Sequence, residues 1–271
     1  MPRIQSLHIY PVKSCRGIAL DTALATAAGF AHDREWMIVD AAGRFLTQRD
    51  EPRMALIVPS FDDATLVLAA PDREPLHVPI EQSGPSLEVT IWRDRCAAFD
   101  LGERAAEWVS DFLGRTARLV RFDARNKRLS AREWTKEQEA PNRFSDGFPW
   151  LVVSQASLDD LNARLPEPLP MNRFRPNIVL AGLAAYDEDR IDEIGIGAAR
   201  LKLVKPCTRC VITTTDQDTG RRTGDQPLRT LREYRFDRQL RGVLFAQNAI
   251  LVAGEGEHFR VGQEIEIVWK N

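Results

Sequence analysis

The sequence predicts a mainly β protein with a few helices, of the α+β class, on three observations. Short runs rich in β-branched and aromatic residues recur along the chain, separated by Gly, Pro, Asn and Asp turn chemistry. Apolar residues at helical spacing occur in few places. The length of 271 residues and the 44% hydrophobic content allow two modest cores, and no fixed-period repeat or low-complexity segment suggests a solenoid or a disordered chain.

The first portion reads as successive strands. Trp36-Met37-Ile38-Val39-Asp40, a turn over Ala41-Ala42-Gly43-Arg44 and Phe45-Leu46-Thr47 form a hairpin. Strands at 55–59, 65–69, 76–80, 87–92 and 97–99 follow. The period then changes: Ala105, Ala106, Val109, Phe112 and Leu113 share one helical face over 103–114, and Gly114 is the expected C-cap. After a strand at 117–122, residues 123–146 are charged and poor in apolar side chains. A loop that long suggests an active-site cover or a solvated connector.

The second portion opens with Pro149-Trp150-Leu151-Val152-Val153-Ser154, an apolar run expected to be a buried strand. Ser157-Leu158-Asp159-Asp160 has capping-box character and predicts a helix to Leu165. Strands are expected at 177–180, 199–204, 211–215, 242–252 and 264–269, with a helix at 227–234.

Composition narrows the function classes. The formal net charge is −2, so the field of the whole molecule recruits neither nucleic acid nor an anionic membrane, and any anion site must be local. The N-terminus lacks an apolar signal core, and no run reaches the roughly 18 apolar residues of a membrane span. Four scattered cysteines are no disulfide framework. The expectation is a soluble, cytoplasmic protein from a reducing compartment.

The most informative stretch is Lys205-Pro206-Cys207-Thr208-Arg209-Cys210-Val211-Ile212-Thr213-Thr214-Thr215-Asp216. Structural zinc normally takes four ligands in two close pairs, and an iron–sulfur cluster takes four thiolates, whereas Cys15, Cys96 and the four histidines are scattered. A thioredoxin-like pair opens a helix, and here a β-branched run follows. By itself the pair leaves open a soft-ligand or nucleophilic sulfur on one side and buried structural cysteines on the other.

Read with four other segments, that stretch resembles the MOSC family, named after the C-terminal domain of molybdenum cofactor sulfurase. Ile9-Tyr10-Pro11-Val12-Lys13-Ser14-Cys15-Arg16-Gly17, with His32-Asp33-Arg34-Glu35-Trp36 and Gln48-Arg49-Asp50-Glu51-Pro52-Arg53, is similar to the β-barrel domain that precedes MOSC in one branch. Asn172-Arg173-Phe174-Arg175-Pro176-Asn177-Ile178-Val179 is similar to the family's central motif. The resemblance implies an N-terminal β-barrel domain over 1–118 and a MOSC-type β-barrel domain over 119–271. Its branch includes the mitochondrial amidoxime reducing component, which carries an N-terminal anchor, and bacterial reductases of N-hydroxylated bases, some with an appended ferredoxin domain. Neither addition is expected here.

The same resemblance implies a cofactor, the molybdenum cofactor (Mo-molybdopterin), with Cys210 as the protein ligand to the metal and Cys207 structural or packed beneath the cofactor. It places Lys13, Ser14 and Arg34 on the cofactor, where an ammonium, a hydroxyl and a guanidinium suit a phosphate. Arg175 and Asn177 can bond a pterin edge or a phosphate, or else tether their own turn. Thr208 and Arg209 are expected to contact the cofactor from within the cysteine loop. Arg173 departs from the small or polar residue common at its position, adding cofactor charge or facing solvent. Asp146 is a candidate acid.

The implied activity is an oxidoreductase that removes oxygen from N-hydroxylated substrates, among them amidoximes, hydroxylamines and N-hydroxylated nucleobases. Two electrons would come from a separate donor protein of ferredoxin, flavin reductase or cytochrome type. The alternatives are a molybdenum cofactor carrier or sulfur-transfer protein using Cys210, and a bare β-barrel binding module.

Overall fold

Two strand patterns build the sheets. Trp36–Asp40, Trp150–Ser154 and Ile178–Ala181 are unbroken apolar runs, buried nearly throughout, as strands covered on both faces are. Thr65–Ala69 and Leu76–Pro79 alternate, with one face in the core and the other toward solvent. The computed structural model describes residues 1–270. Its architecture is mainly β with a few helices, as the sequence predicts.

The largest sheet runs, in spatial order, through Ile18–Leu20, Arg3–Ile9, Ile178–Ala181, Trp150–Ser154, Gly242–Ala253, Ala199–Thr208, Ile191–Ile196 and Glu266–Trp269, with Phe236–Asp237 attached to Gly242–Ala253. Trp150–Ser154 and Ile178–Ala181 are parallel, which requires a crossover, and the helix Gln155–Arg164 lies within it. Arg3–Ile9 pairs with Ile178–Ala181 in the register Arg3↔Ala181 and Leu7↔Ile178, so N-terminal residues complete a sheet otherwise drawn from the second half. A core of Ile4, Leu7, Phe30, Trp150, Ile178, Leu201 and Phe259 lies against it.

A second sheet holds Trp36–Asp40, Ala117–Phe122, Asp94–Asp100 and Ser86–Ile91, and a third holds Val58–Asp62, Thr65–Ala69 and Leu76–Pro79. The helix Glu103–Leu113 presents Ala105, Val109 and Phe112 to the core they share, and Gly114 ends it in the left-handed conformation expected of its C-cap. A division at 118/119 runs through Ala117–Phe122, which is paired on both sides.

Local readings differ in three places. Residues 211–215 are not a strand: Val211–Thr214 form a 3-10 turn, and Thr215–Asp216 only a short pairing. The threonine hydroxyls decide this, because Thr213 Oγ1 donates to the Cys210 carbonyl (2.9 Å) and Thr214 Oγ1 to that of Val211 (2.8 Å). The segment expected as a strand at 55–59 opens instead as a 3-10 turn over Pro52–Leu56, with proline in its first turn. The helix expected at Ser157 begins earlier. Ser154 is its N-cap, accepting from the Ser157 amide, while the Ser157 hydroxyl donates to buried Glu188.

The long segment after 122 is largely exposed along its middle, but its end is pinned to the body of the protein. Arg128 folds its end back, donating to the carbonyls of Arg143 (2.7 Å), Ser145 (2.7 Å) and Asp146 (3.1 Å) while pairing with Asp94. Phe144 is fully buried beside Phe122. This staple delivers Asp146 to the site.

Candidate active site

A cavity of about 520 Å³ opens where the sheets meet, and all eight site residues named from the sequence line it: Lys13, Ser14, Arg34, Arg175, Asn177, Thr208, Arg209 and Cys210. Its size suits a substantial ligand. Distant pieces of chain supply the wall. The Val12–Cys15 turn follows the first strand and is pinned by the Lys13 amide on the Trp36 carbonyl (2.8 Å). The central motif enters the strand Ile178–Ala181. Thr208 ends the strand Ala199–Thr208 opposite Leu244, the Arg209 amide makes a further bond to Val243, and the chain then turns away at Cys210.

Sulfur and guanidinium are matched. Arg49 donates to the Cys210 sulfur at 3.2 Å, and Arg209 donates to the Cys207 sulfur at 2.9 Å. Cys15 and Cys96 lie in the cores instead, where burial pushes their thiols up to about 12 and about 11.

Lys13 is buried, not the solvated lysine its type suggests, and it donates to the Phe144 carbonyl (2.8 Å) and to Asp146 (2.6 Å). Burial pulls its ammonium down to about 8 even with Asp146 against it. Burial opposes ionisation of Asp146, but the charges of Lys13 and Arg49 outweigh it and hold the carboxyl well below the usual range. Asp146 is the residue the sequence offers as a candidate acid, and here these cations favour its charged form. It is an ionised hub, accepting also from the Trp92 indole (3.2 Å).

On the opposite wall, the Tyr10 ring lies between two guanidinium groups, Arg34 at 4.3 Å and Arg175 at 4.2 Å. Arg34 is committed to Asp33 (2.5 Å), to Asn177 Oδ1 (3.1 Å) and to the Arg175 carbonyl (3.3 Å). Arg175 donates to the Cys15 carbonyl (2.6 Å) and has no carboxylate to neutralise it among the described residues. The Asn177 amide is a tether: Oδ1 also accepts from the Leu151 amide (3.1 Å), and Nδ2 donates to the His8 carbonyl (3.2 Å). Arg173 neither faces solvent nor reaches the cavity, but is buried and pairs with half-buried Asp216 at 2.9 Å.

Ser14, Arg34, Trp92 and Arg175 all have left-handed backbones, with φ of 65°, 47°, 54° and 56°. Each such residue costs on the order of 1 kcal/mol, and such strain gathers at functional sites. The sequence reading omitted Arg49, Trp92 and Lys205 from the site. Arg49 lies within a quoted motif, and Trp92 occupies a hairpin tip with its side chain 48% exposed, an unusual place for the largest apolar residue.

Two family models match the chain, the MOSC N-terminal beta barrel domain over residues 1–116 and the MOSC domain over residues 139–266. The mitochondrial amidoxime-reducing component 1 of Mus musculus is 41% identical over 245 residues, covering 86% of this chain and 71% of that protein. The human mitochondrial amidoxime reducing component 2 is 38% identical over 242 residues, 86% of this chain and 72% of that protein. Molybdenum cofactor sulfurase of Bos taurus is 32% identical over 243 residues, 82% of this chain but 28% of that longer protein. Both domains in order, and this identity over most of the length, mean that the chain belongs to the MOSC family, in the branch where a MOSC N-terminal beta barrel domain precedes the MOSC domain.

Proposed function

We propose that the cavity binds the molybdenum cofactor and that the protein reduces N-hydroxylated compounds, such as amidoximes, hydroxylamines and N-hydroxylated nucleobases, with electrons from a separate donor protein. The carrying observation is the charge of the wall. Lys13, Arg34, Arg49, Arg175, Lys205 and Arg209 line the cavity against one carboxylate, Asp146. A wall so charged takes an anion that brings several acceptors, as a phosphate-bearing pterin does.

The residues fit the group. Arg49 Nη1 and Arg209 Nε are buried without a partner, leaving donors for a ligand to satisfy. Among the described residues no three His, Cys, Asp or Glu side chains gather as a metal site. One thiolate, Cys210, is what remains to complete a metal that arrives with its own sulfur chelate. When bound, this cofactor supplies two-electron oxygen removal, and the protein supplies binding, orientation and electrostatics.

In that reading Cys210 is the protein ligand and Arg49 holds its sulfur. Arg175, Ser14 and Lys13 supply charge and donors for the phosphate end, with the Lys13 ammonium protonated below pH 8. Arg34 and Asn177 act through their backbone ties, holding the turn that carries Arg175. Thr208 and Arg209 form the floor beside Cys210.

A carrier or sulfur-transfer role is the second reading, favoured by the match to the bovine sulfurase. Turnover separates the two. Protein from a host that makes molybdopterin is assayed for molybdenum and for benzamidoxime reduction with dithionite as the electron source. Metal with turnover supports the reductase. Metal without turnover supports the cofactor carrier, and no metal overturns the reductase and leaves sulfur transfer or plain binding.

A further inference from the structure

The segment that wraps the cysteine loop is strongly cationic. Between residues 221 and 241 stand seven arginines and no lysine, against Asp225, Glu233 and Asp237, a net of 7 − 3 = +4 in a chain whose total is −2. The remaining residues therefore sum to −6. Such a local inversion of sign is a field that selects an acidic partner rather than a property of the fold.

Its position ties it to the site. The hairpin strand Arg221–Arg222 pairs with Thr215–Asp216, immediately after the cysteine loop, and Arg222 donates to the carbonyls of Gln48 and Arg49. The helix Leu228–Tyr234 leads to Phe236–Asp237, which pairs with Val243 and Gly242. Gly242 packs on the Thr208 side chain: a Cβ there would stand 3.1 Å from Thr208 Cγ2. The cysteine loop is thus flanked by the arginine segment on both sides.

Four of these arginines point outward. Arg229, Arg232, Arg238 and Arg241 are exposed, and the arginine ion pairs of the second half involve Arg164, Arg173, Arg200 and Arg235 instead. Among them lies Phe236, 45% exposed, with the Arg232 guanidinium 5.7 Å from its ring. An apolar anchor inside a charged rim is the pattern of a recognition patch.

We infer that the surface formed by Arg229, Arg232, Phe236, Arg238 and Arg241 docks an acidic electron-carrier protein beside the Cys210 loop. This rests on the reductase reading. Each turnover converts an N–OH to an N–H with release of water and takes two electrons and two protons, so a one-electron carrier must arrive, dock and leave twice. Charge steering with a small apolar centre suits such brief encounters better than a large apolar interface.

The test uses the full-length holoprotein and a plant-type [2Fe–2S] ferredoxin, reduced by its reductase, as the acidic carrier. Two variants, Arg229→Glu with Arg232→Glu and Arg238→Glu with Arg241→Glu, are compared with wild type. The KM for ferredoxin should rise at least tenfold in each, and the steep salt dependence of wild type should flatten, while dithionite-driven turnover and molybdenum content stay unchanged. The affinity of the oxidised ferredoxin, measured by calorimetry without substrate, should fall in parallel. This binding arm judges the surface even where turnover is absent, and absent dithionite-driven turnover in wild type counts against the reductase reading alone. Equal ferredoxin affinity in wild type and variants, or none in wild type, overturns the docking surface. Loss of binding to phosphatidylserine vesicles with ferredoxin affinity intact also overturns it, marking a membrane face instead.

Discussion

The Arg49 guanidinium reaches the Cys210 sulfur at 3.2 Å while lying 4.5 Å from the centre of the Trp92 ring. The two residues are 161 positions apart, and their contact joins the N-terminal half to the loop that carries the candidate metal ligand. Arg49 also stands 3.8 Å from Asp146. One guanidinium thereby links the sulfur, the mouth of the cavity and the Lys13 ion pair.

Replacing Arg49 removes the group that holds the sulfur and one of the two buried guanidinium donors left open at the cavity. Arg49→Ala is expected to weaken cofactor retention at least tenfold, about 1.4 kcal/mol. Arg49→Lys restores only part, because an ammonium cannot donate in two directions from one plane. Molybdenum content after gel filtration at matched protein concentration measures the difference.

The two cysteines of the motif should separate cleanly. Cys210→Ser loses molybdenum and turnover but keeps its fold, with stability within about 1 kcal/mol of wild type because a partly exposed thiol is exchanged for an isosteric hydroxyl. Cys207→Ser keeps the metal. Elemental mass spectrometry with thermal melts checks both, and equal metal in the two variants would show that Cys210 is not the ligand.

Lys13 sets a pH dependence. Its folded value of about 8 lies below the ordinary 10.5, so between these values the unfolded chain binds the additional proton. Stability from this group therefore rises with pH across that window, by about 2 kcal/mol between pH 7 and 9.5. Buried Cys15 and Cys96 titrate in the opposite sense in the same window, so the readout is the difference: between the two pH values, urea unfolding should show wild type gaining about 2 kcal/mol relative to Lys13→Met. Anion affinity runs the other way, falling above pH 8 as the ammonium loses its charge.

The Lys13–Asp146 pair can be weighed directly. Asp146→Ala leaves a buried ammonium without its carboxylate, at a cost of about 2 kcal/mol, moderated because the Asp146 side chain is 56% exposed. Adding Lys13→Met removes the stranded charge and should recover much of the loss. A double-mutant cycle by chemical denaturation reads the coupling.

Asn177 is expected to matter through the fold. Asn177→Ala strands the Leu151 amide and the His8 carbonyl in the core and frees Arg34, at about 3 kcal/mol. Its loss of cofactor should track its loss of stability, and a variant with wild-type melting but no cofactor would make Asn177 a direct ligand instead.

Much of the site was legible because its residues are local motifs. Lys13 with Ser14, Arg175 with Asn177, and Thr208 through Cys210 each sit within a few positions of one another, and the turn chemistry that aims them is written in the same stretch. Most strands were equally legible, as Thr65–Ala69 and Ala117–Phe122 show, because alternation and apolar runs are nearest-neighbour properties. The turn at Val211–Thr214 was misread because hydroxyl-to-carbonyl bonds overrode β-branched preference.

By itself the sequence determined a mainly β chain, a cysteine loop and the small motifs of cations around it. Only the tertiary structure decided which charges remain available. Asp146 pairs with Lys13, Asp216 takes Arg173 away from the cavity, and Arg49 arrives at Cys210 from a distant loop. The reason is physical: a buried charge takes whichever opposite charge the packing of remote segments brings within about 4 Å, and that partner is not encoded by spacing along the chain.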